Sequence, residues 1–387
     1  VTKGRPRVAV ATRIFLPEAA AASFRLSALA SALAGEGAAV SVITTTVPGD
    51  DSVPFDERVM IRRWPALRDK AGYIRGYVQY MSFDLPLFFR LLFGPRVDAV
   101  VSEPPPTTGV VVRLACAVRR APYVYYAADV WSDASASMGA SGLVVRVLRT
   151  LESFAMRGAQ RVIAVSDGVA ERVAALGGRN ITVIRNGIDT AVFRPLDEVV
   201  DSQPTAVYAG TASEWQGASV FARAFAQVRV AVPGARLVFI GQGSELDEIR
   251  RIAASLPDGA IEVRGPVPPA HAAEILGSAR AGLVSLRPGL GYDFAFPTKI
   301  LASVACGTPV VFAGPGPGYE AVLDGDLGWA TDYDDNAVAA AMIEALSDAP
   351  TRERRAELAA WAAANASVQA TGARAAQVVL ESRRLRT

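Results

Sequence analysis

Histidine occurs once and cysteine twice in these 387 residues, and each scarcity removes a class of chemistry. Cys116 and Cys306 lie far apart in Ala-rich apolar contexts, with no partner at metal-ligand spacing. That excludes a disulfide framework or a structural zinc site and fits a reduced, cytosolic compartment. His271, after Pro268 and Pro269, suits a surface helix start, so no histidine base is expected in the site. Charge of one sign is also lacking: 40 basic against 38 acidic residues leave a net charge of +2, too little for a nucleic-acid partner. No apolar run approaches the roughly 18 to 20 residues that span a bilayer. Thr2-Lys-Gly-Arg5 leads into a short strand, not into a signal-peptide core, so the chain is expected to be neither secreted nor membrane-spanning.

Two phosphate-binding signatures are missing as well. The loop after the first expected strand, Thr12-Arg-Ile-Phe-Leu-Pro-Glu-Ala-Ala-Ala-Ala-Ser23, holds no Gly-x-Gly-x-x-Gly turn, and the second strand ends in Thr44-Thr45-Thr46 instead of an acid. A nicotinamide-dependent dehydrogenase is therefore rejected. Walker-type loops are absent too.

What remains is an α/β pattern long enough for two domains. Val8–Thr12 and Val40–Thr44 read as buried strands around a helix in which Leu26, Leu29, Ala30 and Leu33 recur at helical spacing. Further strands are expected at Val97–Ser102, Tyr123–Ala127 and Arg161–Val165, then at Ala206–Gly210, Arg236–Gly241, Ile261–Gly265, Ala281–Leu286 and Thr308–Ala313. Strands alternating with helices predict parallel sheets whose ligands gather at the strands' carboxyl ends. Two prolines and three acids without apolar periodicity make 195–204 the expected linker. The expected division is 1–194, a first Rossmann-like domain, then 205–360, a second, with a last helix at 361–387.

The stretch Ala295-Phe-Pro-Thr-Lys-Ile-Leu-Ala-Ser-Val-Ala-Cys-Gly307 carries the clearest chemistry. Pro297 suits a first helical turn and Gly307 an end, so a short helix is expected, its amino end aimed at a diphosphate and Lys299 adding a full charge.

Here the chain resembles the retaining glycosyltransferases of the GT-B fold, family 4, and especially a bacterial cell-surface polysaccharide branch whose helix starts Pro-Ser/Thr-Lys. Arg185-Asn-Gly-Ile-Asp-Thr-Ala-Val-Phe-Arg-Pro195 resembles the family's domain-junction segment. Val207-Tyr-Ala-Gly-Thr211, Phe239-Ile-Gly-Gln-Gly-Ser244 and Gly265-Pro-Val-Pro268 resemble its first three C-domain strand ends. The resemblance implies two Rossmann-like sheets facing a cleft, 1–194 binding the acceptor and 205–360 the donor, with helix 361–387 packing back toward the first; it implies a nucleotide-diphosphate sugar as donor and a lipid-linked or glycan acceptor, with no metal or other cofactor. It implies a donor site of Gly210, Thr211, Gly241, Gly243, Gly265, Pro266, Val267, Pro297, Thr298, Lys299 and Glu320. Tyr123-Val-Tyr-Tyr-Ala-Ala-Asp-Val-Trp-Ser132 resembles the family's strand ending in Asp-Leu-Trp-Pro. This places Asp129, with Lys299, among the catalytic residues and puts Trp131 and Arg13 at the acceptor side. The alternative for Asp129 is a helix cap, and for Trp131 simple packing.

Two departures stand out. The family's pair of glutamates, one for the donor sugar and one for the ribose, corresponds to Phe294 and Ala302, and Gln216 stands where a phosphate-binding lysine is common. Charge compensation would then fall to Lys299, with Arg13 or Arg287. They keep open a second function, a catalytically degenerate scaffold; an epimerase on the same fold would need acid and histidine bases that are missing here.

Finally, between Arg58 and Arg96 eight basic and two acidic residues interleave with Trp64, Tyr73, Tyr77, Tyr80, Phe83, Phe88, Phe89 and Phe93. A basic amphipathic helix around Leu85–Phe93 fits an anionic membrane surface, or its aromatics serve as domain core. The expected location is cytoplasmic, on the inner face of the cell membrane.

Overall fold

The computed structural model describes residues 5–18, 20–47, 55–69, 74, 76–137, 139–197, 203–257, 259–290 and 292–383; Thr2–Gly4, Tyr73 and residues 198–202 of the expected linker lie outside them. The chain divides into two compact units, Val1–Asn186 with Val368–Thr387, and Gly187–Ser367.

In the first unit the order is β1 (Arg7–Ala11), α1 (Ala21–Gly35), β2 (Ala39–Thr45), β3 (Val59–Trp64), α2 (Tyr77–Phe93), β4 (Ala99–Ser102), α3 (Pro106–Arg119) and β5 (Tyr123–Ala127). It continues with α4 (Trp131–Ser137), α5 (Gly142–Gly158), β6 (Arg161–Ala164), α6 (Asp167–Ala175) and β7 (Ile181–Val183). All seven strands are parallel, in the order β3-β2-β1-β4-β5-β6-β7. Central strands are buried on both faces, which is why β4 and β5 are continuous apolar or aromatic runs.

The second unit holds β8 (Thr205–Ala209), α7 (Ser219–Ala231), β9 (Arg236–Ile240), α8 (Leu246–Ala253), β10 (Ile261–Arg264), α9 (Pro269–Ser278), β11 (Ala281–Ser285) and α10 (Lys299–Ala305). After these come β12 (Val310–Ala313), α11 (Pro317–Asp324), β13 (Gly328–Thr331), α12 (Asp335–Ser347) and α13 (Arg352–Asn365). Its sheet is again all parallel, β10-β9-β8-β11-β12-β13. Each sheet reverses strand order once, between β1 and β4 and between β8 and β11, and such a switch point leaves a crevice at the carboxyl ends.

The unit boundary differs from the expected linker. The chain changes unit at Asn186–Gly187 and returns at Ser367–Val368, where Ile188 bridges Ser367 and its N–H donates to Ala366 O at 2.7 Å. Residues 195–197 belong to the second unit, with Leu196 against Gly277 of α9. Proline and acid content therefore did not mark the change of unit. The last helix likewise begins later than expected: α13 stays in the second unit, and only α14 (Val368–Ser382) packs on α1. Gly372 makes that packing close, because a Cβ there would stand 2.7 Å from the Ala28 backbone. Both cysteines are buried and neither forms a disulfide, and burial pushes the Cys306 thiol up to about 12.

Candidate functional site

At the β8/β11 switch point of the second unit lies a cavity of about 530 Å³. Gly210 and Thr211 follow β8, Gly241 and Gln242 follow β9, Pro266 and Val267 follow β10, and Thr298, Lys299 and Ala302 open α10; all line it. The glycines are dictated by close approach. Gly210 has φ +126°, and a Cβ on it would stand 2.8 Å from Lys299 Cε; Gly241 has φ +142°, and a Cβ there would run into Gly210 O. With those side chains missing, Lys299 lies flat across the loop, its Nζ 5.2 Å from the centre of the Tyr208 ring. Burial lowers the Lys299 ammonium to about 8, since desolvation disfavours the charged form. Among the described residues Lys299 is the one ionisable group lining this cavity, so any anion that enters meets a single, poorly hydrated cation.

Four of the expected donor residues stand outside the lining. Gly243 (φ +147°) packs against the Ala212 backbone and supports the loop from behind, while Gly265 is exposed after β10. Pro297 is buried beneath the start of α10, and Glu320 is exposed on the first turn of α11. Sequence pattern marked loops correctly but not which atoms of a loop face inward. Conversely Ile188, Phe193, Ala272 and Leu276 line the cavity although nothing in their local pattern distinguishes them from core. Gln216 also lines it, but its Oε1 accepts from Ser213 N–H and Oγ at 3.2 and 3.0 Å, so it holds the loop. Arg287 is exposed and outside the lining, with its N–H on Trp215 O at 2.9 Å; Trp215 in turn stacks on Tyr292, 4.8 Å between ring centres. His271 is exposed on α9 beside Glu274.

The first unit assembles a polar cluster at its own switch point. Thr12, after β1, donates to Glu103 Oε1 at 2.6 Å, and Arg25 of α1 donates to Glu103 Oε2 at 3.0 Å and to Asn186 Oδ1 at 3.1 Å. Both members of the Arg25–Glu103 pair are buried, and no sequence motif singled them out. Arg13 is buried too. Its guanidinium lies 4.4 Å from the Tyr80 ring centre and donates to Ile74 O, and Tyr80 meets Trp131 edge to face at 5.5 Å. Desolvation lowers the Arg13 pKa. Asp129 is exposed after β5. The cap of α4 comes from Glu152 instead, whose carboxylate accepts from Trp131 and Ser132 N–H at 2.5 and 3.2 Å; burial raises its pKa even so.

Residues 58–96 divide between the two readings. Phe83, Leu87 and Leu91 enter the core, whereas Trp64, Tyr77, Leu85, Phe89 and Phe93 are exposed. Between β2, β3 and the end of α2 runs a largely apolar groove of about 610 Å³ edged by Arg7, Arg62, Arg63, Arg90 and Arg96. Arg90 lies over the Trp64 ring at 4.0 Å. No helix among the described residues is long and apolar enough to cross a membrane.

Two all-parallel α/β units in series, each with one reversal of strand order, are the architecture of a GT-B glycosyltransferase. The chain is similar over 97% of its length to all of the HepE protein of Anabaena, solved in complex with UDP and glucose, with a TM-score of 0.65 at 17% identity. It is similar over 98% to the whole catalytic domain of starch synthase IV from Arabidopsis thaliana, bound to ADP and acarbose, with a TM-score of 0.69 at 12% identity. These likenesses establish the fold. A family model described as glycosyl transferases group 1 matches residues 203–348, and one described as glycosyl transferase 4-like domain matches residues 21–187. The chain belongs to the group 1 glycosyltransferases. It is also 32% identical over 205 residues, 48% of its length, to the D-inositol 3-phosphate glycosyltransferase of Acidothermus cellulolyticus. That match spans less than half, 44%, of the relative.

Proposed function

We propose that this protein moves a hexose-type sugar from a nucleoside-diphosphate donor, with retention, to a lipid-linked or polysaccharide acceptor in cell-envelope glycan synthesis. The observation that carries the reading is Lys299, held across Gly210 in a switch-point cavity where a diphosphate would find one cation and a glycine backbone. In the transfer, the bond from the sugar's anomeric carbon to the diphosphate oxygen breaks and a bond to the acceptor oxygen forms on the same face. The departing phosphate oxygen takes the acceptor's proton. Lys299 stabilises the negative charge that grows on the leaving group, which matters most in a site that excludes water. No metal takes part in this reading. Asp129 hydrogen-bonds an acceptor hydroxyl, and Trp131, set by its contact with Tyr80, offers an apolar face to the acceptor.

The acceptor's setting follows from the exposed aromatic residues and arginines of 58–96. We place the protein in the cytoplasm, held peripherally on the anionic inner face of the membrane. Supplying single nucleotide sugars to the purified protein and following release of the nucleoside diphosphate tests the donor reading. Release that disappears in Lys299→Ala supports it. Silence with every donor favours the degenerate scaffold, for which Ala302 and the loop-bound Gln216 speak.

A further inference from the structure

Lys299 and Ala302 line the same cavity because residues three apart share a helix face. A diphosphate on Lys299 leaves the nucleoside to the rest of the cavity, about 4.5 Å further along α10 at Ala302. The cavity walls include the apolar Ile188, Phe193, Ala272 and Leu276, beside the polar Thr211, Gln242 and Thr298. A ribose diol is held by groups that accept two hydrogen bonds at once, above all a carboxylate. Among the described residues no carboxylate and no histidine lines this cavity, and Gln216, the buried amide, already uses its carbonyl oxygen on Ser213. A 2′-hydroxyl set against the Ala302 methyl would lose water without gaining a carboxylate partner, which costs up to about tenfold in affinity.

We propose that the donor of this site is a 2′-deoxyribonucleoside diphosphate sugar. The inference rests on the reading of the cavity as the donor site and adds the sugar of the nucleoside to it. Ala302 is then the residue that sets specificity: it removes the gain a ribonucleotide would otherwise make and leaves the deoxyribose nothing to miss. The opposite logic operates where a site is built to bond a hydroxyl, since such a site rejects the analogue lacking it by several orders of magnitude.

Calorimetric titration of the full chain with matched pairs, UDP against 2′-deoxy-UDP and the corresponding pairs for the other bases, tests this directly. For the base that binds best, the deoxy member is expected to bind at least as tightly as the ribo member, and up to tenfold more tightly. Lys299→Ala should weaken both alike, and Ala302→Glu should turn the preference toward the ribo member by tenfold or more. A ribo member binding fivefold or more tightly than its deoxy twin in the unaltered protein overturns the proposal while leaving the donor site standing. No binding by any nucleotide, or binding indifferent to Lys299→Ala, removes the donor-site reading and this inference with it.

Discussion

Lys299 lies across Gly210 so closely that a single added carbon would stand 2.8 Å from its Cε. A strand-end glycine and a helix-start lysine 89 positions later thus form one device, in which the missing side chain sets where the cation rests.

Replacing Gly210 by alanine should displace Lys299 and weaken nucleoside-diphosphate binding by about tenfold or more, besides straining a backbone at φ +126° by about 1–3 kcal/mol. Gly234→Ala provides the control. Its φ is +86° but nothing lies within 4 Å of the added Cβ, so it should lower thermal stability similarly and leave titrated affinity unchanged. Equal affinity in both variants would separate Gly210 from the cation.

The pH dependence of Lys299 has a definite sign. Its folded pKa, about 8, lies below the ordinary 10.5, so between these values the unfolded chain binds the extra proton and stability rises with pH. Urea denaturation of the unaltered protein against Lys299→Met should therefore show a gap in favour of methionine that narrows by roughly 1–3 kcal/mol from pH 7 to 10.5. Nucleotide affinity should move the other way, falling above pH 8 as the ammonium is lost, with the midpoint shifted upward by the bound anion. Lys299→Arg should flatten that fall.

Breaking the buried Arg25–Glu103 pair should be costly. Arg25→Ala strands a carboxylate that Thr12 alone then satisfies, and about 3–5 kcal/mol of stability should be lost in chemical denaturation. Removing both charges together, as in Arg25→Met with Glu103→Leu, should recover most of it. A double variant no more stable than the single one would show that the pair is worth more than its desolvation cost.

If residues 58–96 dock on a membrane, flotation with vesicles containing about 30% anionic lipid should capture the protein, and raised salt should weaken capture because surface charge is screened. Arg62→Glu with Arg96→Glu should reduce capture severalfold, and Phe93→Ser, which alters an exposed residue, should reduce it at unchanged thermal stability. Equal capture by zwitterionic vesicles would remove the electrostatic part of the argument.

Except for the edge strand β10, the strands legible in the sequence were the buried ones. Val97–Ser102 and Ala281–Leu286 read as runs of apolar or small residues because both of their faces are covered. The other three edge strands, β3, β7 and β13, carry no such run, for the complementary reason. Val59–Trp64 alternates buried and exposed positions and carries two arginines, while Ile181–Val183 and Gly328–Thr331 are short and only half-buried.

By itself, then, the sequence determined two parallel-sheet units, the glycine-ended strands after β8 and β9, and a Pro-Thr-Lys helix start, since backbone geometry and burial act over a few neighbouring residues. Only the tertiary structure decided that Lys299 rests on Gly210, that Glu103 joins Thr12 to Arg25, and that Glu152 caps α4 in place of Asp129. These contacts link residues 20 to 91 positions apart. Local propensity carries no information about such separations; the packing of helices onto a shared sheet sets them.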